Sequence, residues 1–282
     1  MKTTVLYHGN CYDGFTAAWV AALRHPDAEL IPCIYGKDVP DFDPASTVVM
    51  VDVSYPRPVM DALLDIITKA GGTFTVLDHH ATAKVALDGF PNATFNLHKS
   101  GARLSWEYFF PLEPSAPPLV AYVEDRDLWR FALPFSKEIN AVIAAAPRTL
   151  GSYNDLDQFI MHKRDDVIVL GQAIVRERET RVAEMCDQVS FIAIKGRRVP
   201  VVNASVLFSE VANELLIRHP EADIAAYYFN RGDGVQQWGL RSRPGVDCSE
   251  LAKEFGGGGH PQAAGFSLLP AQILATPFPV VS

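Results

Sequence analysis

Acidic and imidazole side chains recur through the first half of the sequence, each group directly behind an apolar run. His8, Asn10 and Asp13 follow residues 3–7, Asp52 follows 47–51, and Asp78-His79-His80 follows 73–77. A fourth group, Glu124, Asp125 and Asp127, follows 119–123. Burying such groups without partners costs about 2–7 kcal/mol for each unpaired polar group and more for a charge. Hydrogen bonds offset that cost, and so does a metal ion. Carboxylate and imidazole without thiolate suit Mn2+ or a related divalent cation better than structural zinc. With this many donors two cations are expected, about 3.5–4 Å apart with a carboxylate between them. Such a pair neutralises a phosphodiester, lowers the pKa of water and stabilises the charge of an in-line attack on phosphorus.

The elements that hold these groups read as strands alternating with helices. Residues 3–7, 47–51 and 73–77 are apolar strands. Residues 14–24, with Phe15, Ala18, Trp19, Ala22 and Leu23 at helical spacing, form an amphipathic helix, and 58–70 form another that Gly71-Gly72 stops. Residues 102–110 and 119–123 also read as helical. The pattern predicts an α/β fold: a mainly parallel sheet flanked by helices. Sheets of this kind carry their chemistry beyond the carboxyl ends of the strands, and all four polar groups are expected at that edge.

From 154 to 188 the pattern is long, helical and charge-rich, as in Arg176-Glu177-Arg178-Glu179, and predicts a solvated connector. Beyond it, residues 191–194 and 199–202 flank Lys195-Gly196-Arg197-Arg198 as a hairpin. A helix over 207–218, strands over 224–229 and 237–241, and a helix over 249–255 complete a smaller α+β unit. The expected organisation is a first domain over 1–150, a helical linker over 151–189 and a second domain over 190–282. The second domain carries the run Gly256 to Phe266, in which Gly257, Gly258 and Gly259 lead into His260. Glycines permit close backbone approach to a ligand, and successive N–H groups cradle anions. Arg241 and Arg243 lie just upstream, and arginine suits bidentate phosphate contact.

Composition narrows the function. The chain has 282 residues and a net charge of −8, from 25 Lys+Arg against 33 Asp+Glu, which argues against long duplex DNA as a partner. A small anionic substrate held by a few arginines and cations remains compatible. The four cysteines are scattered without C-x-x-C spacing, as in a reduced cytoplasmic protein. The start turns polar too soon for a signal peptide and no stretch reaches spanning length, so no membrane association is expected. Cys11 reads as packing, and Trp129 and Phe131 as core.

The motifs His8-Gly9-Asn10-Cys11-Tyr12-Asp13-Gly14, Val51-Asp52, Leu77-Asp78-His79-His80 and Glu124-Asp125-Arg126-Asp127 resemble the four motifs of the DHH phosphoesterases. The Gly256 to Phe266 run is similar to the signature of their DHHA1 domain. The resemblance spans nearly the whole chain. It implies a phosphohydrolase with a dimanganese-type site in a DHH domain and substrate recognition in a DHHA1 domain. By position, His8 and Asp13 resemble ligands of separate ions, Asp52 the bridging carboxylate and His79 a further ligand. Asp78 resembles a supporting neighbour of His79, and His80 the group nearest the scissile phosphate. Asp125 is taken as the last ligand, with Asp127 a close competitor. Arg241, His260 and the glycines would hold the terminal phosphate or ribose. The family's first motif has two aspartates spaced Asp-x-Asp; Asn10 and Asp13 stand here with a longer gap, and an amide oxygen is a weaker, neutral ligand. One metal position is thereby left open.

The expected activity is Mn2+-dependent hydrolysis of short oligonucleotides, dinucleotides or small nucleotides, with Mg2+ or Co2+ as substitutes. The partner is a short single strand or a nucleotide, because no additional single-strand-binding domain is present to form a channel. Two alternatives stand beside it: a pyrophosphatase or exopolyphosphatase, and a catalytically silent nucleotide sensor. The sequence leaves monomer or homodimer open.

Overall fold

The computed structural model describes residues 2–34, 36–275, 278 and 281, and the chain divides into two compact units, Met1–Val175 and Arg176–Ser282. The first unit begins β1 (Thr3–His8), α1 (Tyr12–Arg24), β2 (Glu29–Cys33), β3 (Thr47–Val51), α2 (Arg57–Lys69) and β4 (Thr73–Asp78). It continues α3 (Ala81–Ala86), β5 (Ala93–Phe95), α4 (Gly101–Phe109), α5 (Pro118–Asp127), α6 (Ser136–Ala145) and α7 (Leu150–His162). Helix α8 (Arg164–Cys186) runs across the division.

The five strands are all parallel, in the order β2-β1-β3-β4-β5. Alternate side chains feed two cores. Val5, Tyr7, Val49, Val51 and Leu77 pack with Phe15, Trp19, Leu119 and Tyr153, whereas Leu6, Val48, Met50 and Val76 pack with Met60, Leu63 and Ile67 of α2. Coverage of both faces explains why these strands read as unbroken apolar runs. The strand order reverses at β1, so the crevice of the fold opens at the carboxyl ends of β1 and β3. His8 ends β1 and Asp52 directly follows β3.

The expected α/β architecture is found, with three differences. Strands β2 and β5 carry little local signal, because β2 contains Pro32 and β5 has only three residues. Residues 119–123 lie inside α5, helical as expected, but the fourth polar group thereby rides on the last turn of that helix rather than at a strand end. The stretch 151–189 is helical but is no solvated linker. Tyr153, Leu156, Ile160, Val167 and Ile168 are buried in the first unit's core, and Val182 and Cys186 in a core of the second. Its charges occupy the exposed faces of helices whose other faces are packed.

The second unit comprises β6 (Ser190–Ile194), β7 (Arg197–Asn203), α9 (Phe208–Arg218), β8 (Ile224–Asn230) and β9 (Gln236–Ser242). It closes with α10 (Cys248–Glu254), β10 (Gly258–His260), β11 (Ala263–Leu268) and α11 (Pro270–Ala275). The sheet order is β10-β11-β9-β8-β7-β6, antiparallel except between β7 and β8. The expected hairpin turn is Lys195-Gly196, with φ of 51° and 74°, the two-residue geometry that matches strand twist. Val211 and Leu215 of α9 cover one face; Leu251 and Ala252 of α10 cover Trp238, Leu240 and Phe266 on the other. Among the described residues no helix is long and apolar enough to cross a membrane.

Each unit rests on its own apolar contacts. Ile67→Ala in the first and Leu215→Ala in the second are each expected to cost about 2–5 kcal/mol, read as a lowered urea midpoint. An unchanged midpoint for either would show that its core does not depend on that helix.

Candidate metal centre

The site is built around Asp52. The residue takes a left-handed backbone, φ 58°, just past β3, where its N–H donates to the Leu77 carbonyl at 2.9 Å. A non-glycine residue held there costs about 1–3 kcal/mol, so the surrounding structure must hold it. The resulting turn places Asp52 Oδ1 3.0 Å from His79 Nε2 and Oδ2 3.4 Å from His8 Nδ1. Helix α4 approaches so closely that a Cβ at Gly101 would lie 2.6 Å from Asp52 Cβ and 2.9 Å from Asp13 Oδ2. Only glycine permits that approach.

Asp13 stands in the first turn of α1. Its Oδ2 accepts from Gly101 N at 2.5 Å and its Oδ1 from Ala102 N at 3.0 Å, amides that α4 leaves unpaired at its start. One carboxylate therefore joins the beginnings of two helices and still faces the imidazole of His79, 3.8 Å from Nε2. A side chain at Gly14 would collide with the His8 carbonyl, which keeps α1 tight against the end of β1.

Asp78 is fully buried and its carboxylate is committed. Oδ1 accepts from His79 N at 2.7 Å, from His80 N at 3.1 Å and from His80 Nδ1 at 2.7 Å; Oδ2 accepts from Ser54 Oγ at 2.5 Å. These bonds make Asp78 the support that aims both histidines. His80, fixed through Nδ1, keeps 19% of its side chain exposed.

Asp125 and Asp127 divide their work in a way the sequence leaves open. Asp125 turns back on its own chain: Oδ1 accepts from Ala132 N at 2.9 Å and Oδ2 from Leu133 N at 3.2 Å. Its carbonyl takes Arg130 N at 2.8 Å and Phe131 N at 3.3 Å. These bonds hold a loop in which Trp129 and Phe131 have φ of 54° and 48°, costly values for bulky residues. Both aromatics are half-buried rather than core. Asp127, two residues on, puts Oδ2 3.6 Å from His79 Nε2. Asp127 rather than Asp125 thus faces His79, and the Asp125 oxygens are already satisfied by the loop. Asn10 is exposed in the turn before α1.

Two donor groups emerge, each with donor atoms within 4.8 Å of one another: Asp13, Asp52 and His79, and His8, Cys11 and Asp52. Asp52 belongs to both. A third grouping, Asp52, Asp78 and His80, relies on Asp78 oxygens that are already committed. Burial pushes the Asp13 carboxyl well up, and repulsion from Asp127 and Asp52 adds to it. Burial likewise pushes Asp127 up, against a partial offset from His79. Burial opposes charge on Asp52 as well, but the adjoining imidazoles of His79 and His8 outweigh it and hold that carboxyl far below its ordinary range. Burial works against the His79 cation, yet Asp52, Asp127 and Asp13 together push it up to about 10. The Cys11 thiol is pushed well up, by burial and then by the same three carboxylates. Asp52 Oδ2 and Asp127 Oδ2 are buried oxygens with no hydrogen bond. Excess negative charge around one imidazole, with acceptor oxygens left over, is a donor set that fits a divalent cation.

Three contributors carry no signal of this role in the sequence. Ser54 and Gly101 act through close approach, which no spacing reveals. Cys11 reads as packing from sequence, although the two-residue step that ends on Asp13 begins at Cys11. A cationic rim also forms: the Arg126 guanidinium lies 5.1 Å and that of Arg148 5.4 Å from the ring centre of Tyr12.

In the second unit Arg241 and His260 fall on one row of the sheet, opposite Ala263 on its two sides. Residues paired in this way share a face. The glycine run is not an open anion cradle. Gly258 pairs with Gly265 and Gly259 with Ala264, and Gly257 must be glycine because a Cβ there would strike the Gly265 carbonyl. Arg243 is committed to the end of α9, donating to the carbonyls of Leu216 at 2.6 Å, His219 at 3.3 Å and Ala222 at 2.9 Å.

Residues 198–273 match the family model of the DHHA1 domain. An uncharacterized protein, R106, of Acanthamoeba polyphaga mimivirus is 29% identical over 288 residues, covering 93% of this chain and 66% of that protein. RecJ from Thermus thermophilus, solved in complex with Mn2+, superposes with a TM-score of 0.52 at 15% identity, over 99% of this chain and 53% of RecJ. A structure of exonuclease RecJ bound to manganese gives 0.51 at 16% identity, over 97% and 88%. The chain therefore spans about two thirds of the viral relative and about half of the Thermus protein. Residues 198–273 are thus similar to a DHHA1 domain, and the chain has the fold of DHH/DHHA1 proteins such as RecJ.

Proposed function

We propose that this protein is a divalent-metal-dependent phosphoesterase that hydrolyses short single-stranded oligonucleotides or small nucleotides. One observation carries the reading: Asp52 is shared by two donor groups, and buried oxygens of Asp52 and Asp127 lack hydrogen bonds. Asp13, Asp52, His79 and Asp127 would hold one cation, and His8 and Asp52 a second. Mn2+ is the ion of choice, as in the RecJ exonuclease structure of like fold, with Mg2+ or Co2+ able to replace it. Bound cations would neutralise the phosphodiester and lower the pKa of a water for attack on phosphorus.

The remaining steps belong to the chain's own side chains. Asp78, locked by Ser54, fixes the tautomer and direction of His80 and so presents that imidazole to a phosphoryl oxygen. Arg126 and Arg148, spread over Tyr12, supply positive charge against the substrate's phosphates. Arg241 and His260 in the second unit would take a terminal phosphate or the ribose. A net charge of −8 supports a short substrate over long duplex DNA.

Turnover is best measured with Mn2+ across dinucleotides, 3′,5′-bisphosphates, short RNA and DNA, pyrophosphate and polyphosphate. Dinucleotides or bisphosphates are expected to lead; faster turnover of pyrophosphate would overturn the substrate class. Asp52→Asn is expected to cut turnover at least about 100-fold, since the shared carboxylate serves both groups. Full activity in that variant would remove the shared-carboxylate assignment. Asp127→Asn should weaken Mn2+ binding by calorimetry without lowering the melting temperature, whereas Asp125→Asn should lower the melting temperature by loosening residues 129–133. The reverse pattern would restore Asp125 as the ligand. Ser54→Ala, which touches no proposed ligand directly, should weaken Mn2+ binding by about 10–100-fold.

A further inference from the structure

We propose that Cys11 is itself a metal ligand, so that Cys11 Sγ, His8 and Asp52 form a cation position selective for thiophilic divalent ions such as Co2+ or Zn2+ over Mg2+. The proposal deepens the divalent-metal reading above and rests on it. Donor atoms of His8, Cys11 and Asp52 lie within 4.8 Å of one another, brought together by the end of β1, the start of α1 and the turn after β3. One ion binding all three would draw them closer, since its bonds to nitrogen, oxygen and sulfur are about 2.0–2.3 Å.

A second observation points to a ligand at the same place. Asp52 has a side chain only 1% exposed, and its Oδ2 has as partner only the His8 imidazole, 3.4 Å away and without hydrogen-bond geometry. A cation seated between the two would bond both groups and compensate the buried carboxylate. Cys11 differs from the other cysteines, since Cys33, Cys186 and Cys248 are buried in apolar cores. It stands instead among the ligand residues.

The chemistry follows from the donor type. On binding, the S–H bond breaks, its proton passes to solvent and the sulfur lone pair bonds the cation; nothing is oxidised. A thiolate beside an imidazole and one carboxylate favours Co2+ and Zn2+, whereas Mg2+ demands oxygen donors and holds its waters. The other group, Asp13, Asp52, His79 and Asp127, has no sulfur and keeps the preference for harder ions. The two positions sharing Asp52 are therefore chemically unequal.

Co2+ titration of the full chain tests this without recourse to turnover. The wild-type protein is expected to show visible d–d bands together with a near-ultraviolet sulfur-to-cobalt charge-transfer band. Cys11→Ser should lose the near-ultraviolet band and keep visible bands from the sulfur-free position. In the unmutated protein, Co2+ or Zn2+ should slow alkylation of Cys11 by iodoacetamide about tenfold or more, mapped by mass spectrometry, and Mg2+ should not. Visible bands with no Cys11-dependent charge transfer and no protection would overturn the cysteine assignment and leave the metal reading standing. Absence of any Co2+ spectrum would defeat the metal reading itself.

Discussion

Three carboxylates, Asp13 and Asp52 buried and Asp127 partly so, face a single imidazole nitrogen, and the first unit is arranged around that imbalance. Asp52, Asp127 and Asp13 lie 3.0, 3.6 and 3.8 Å from His79 Nε2. Burial drives two of the carboxyls toward the protonated form while Asp52 stays strongly acidic and His79 strongly basic. In a low-dielectric setting this is a repulsive cluster held in place by everything around it. A polyvalent cation is the natural counter-charge.

What holds it is the topology of the sheet combined with a few forced contacts. The reversal of strand order at β1 leaves the crevice into which His8 and Asp52 project. Asp13 uses the start of α4 as its hydrogen-bond partner, so the same helix end that stabilises a carboxylate also lets Gly101 pass against Asp52. The left-handed turn at Asp52 is strained, and the packing of α4 and the ladder bond to Leu77 keep it there. These contacts give up some stability to keep the donors from relaxing apart.

Much of this is legible in the sequence, and the exceptions share one cause. Period and apolar runs reveal β1, β3, β4 and most helices, because both faces of those strands are buried and the signal is local. The residues of the site are legible in kind: His8, Asp13, Asp52 and His79 are brought together as the motifs suggest. Illegible are the facts set by side-chain direction. Asp125 and Asp127 are two residues apart on one helical turn, and only the loop that follows shows which carboxylate is consumed. The run at Gly257 to Gly259 resembles a cradle because glycine is compatible with both a loop and a crowded edge strand. Charge along 151–189 suggests solvent, but only one face of each helix is charged; the other supplies Tyr153, Leu156 and Ile160 to the core.

Hydrogen-bond saturation separates the committed acids of this edge from the uncommitted ones, although the residue type is the same. Asp78 and Asp125 are buried like Asp52, yet their oxygens are consumed by backbone amides, a serine and a histidine, and another cation beside them would have to displace those bonds. Asp52 and Asp127 retain buried oxygens without such bonds, and Asp13 is intermediate, bonded to two amides yet turned toward the imidazole. A carboxylate tied to backbone amides is pre-oriented at little further entropic cost, so Asp78 and Asp125 brace the edge at which Asp52 and Asp127 keep uncommitted oxygens. Bracing of this kind lets a cluster of like charges remain rigid before any counter-charge arrives.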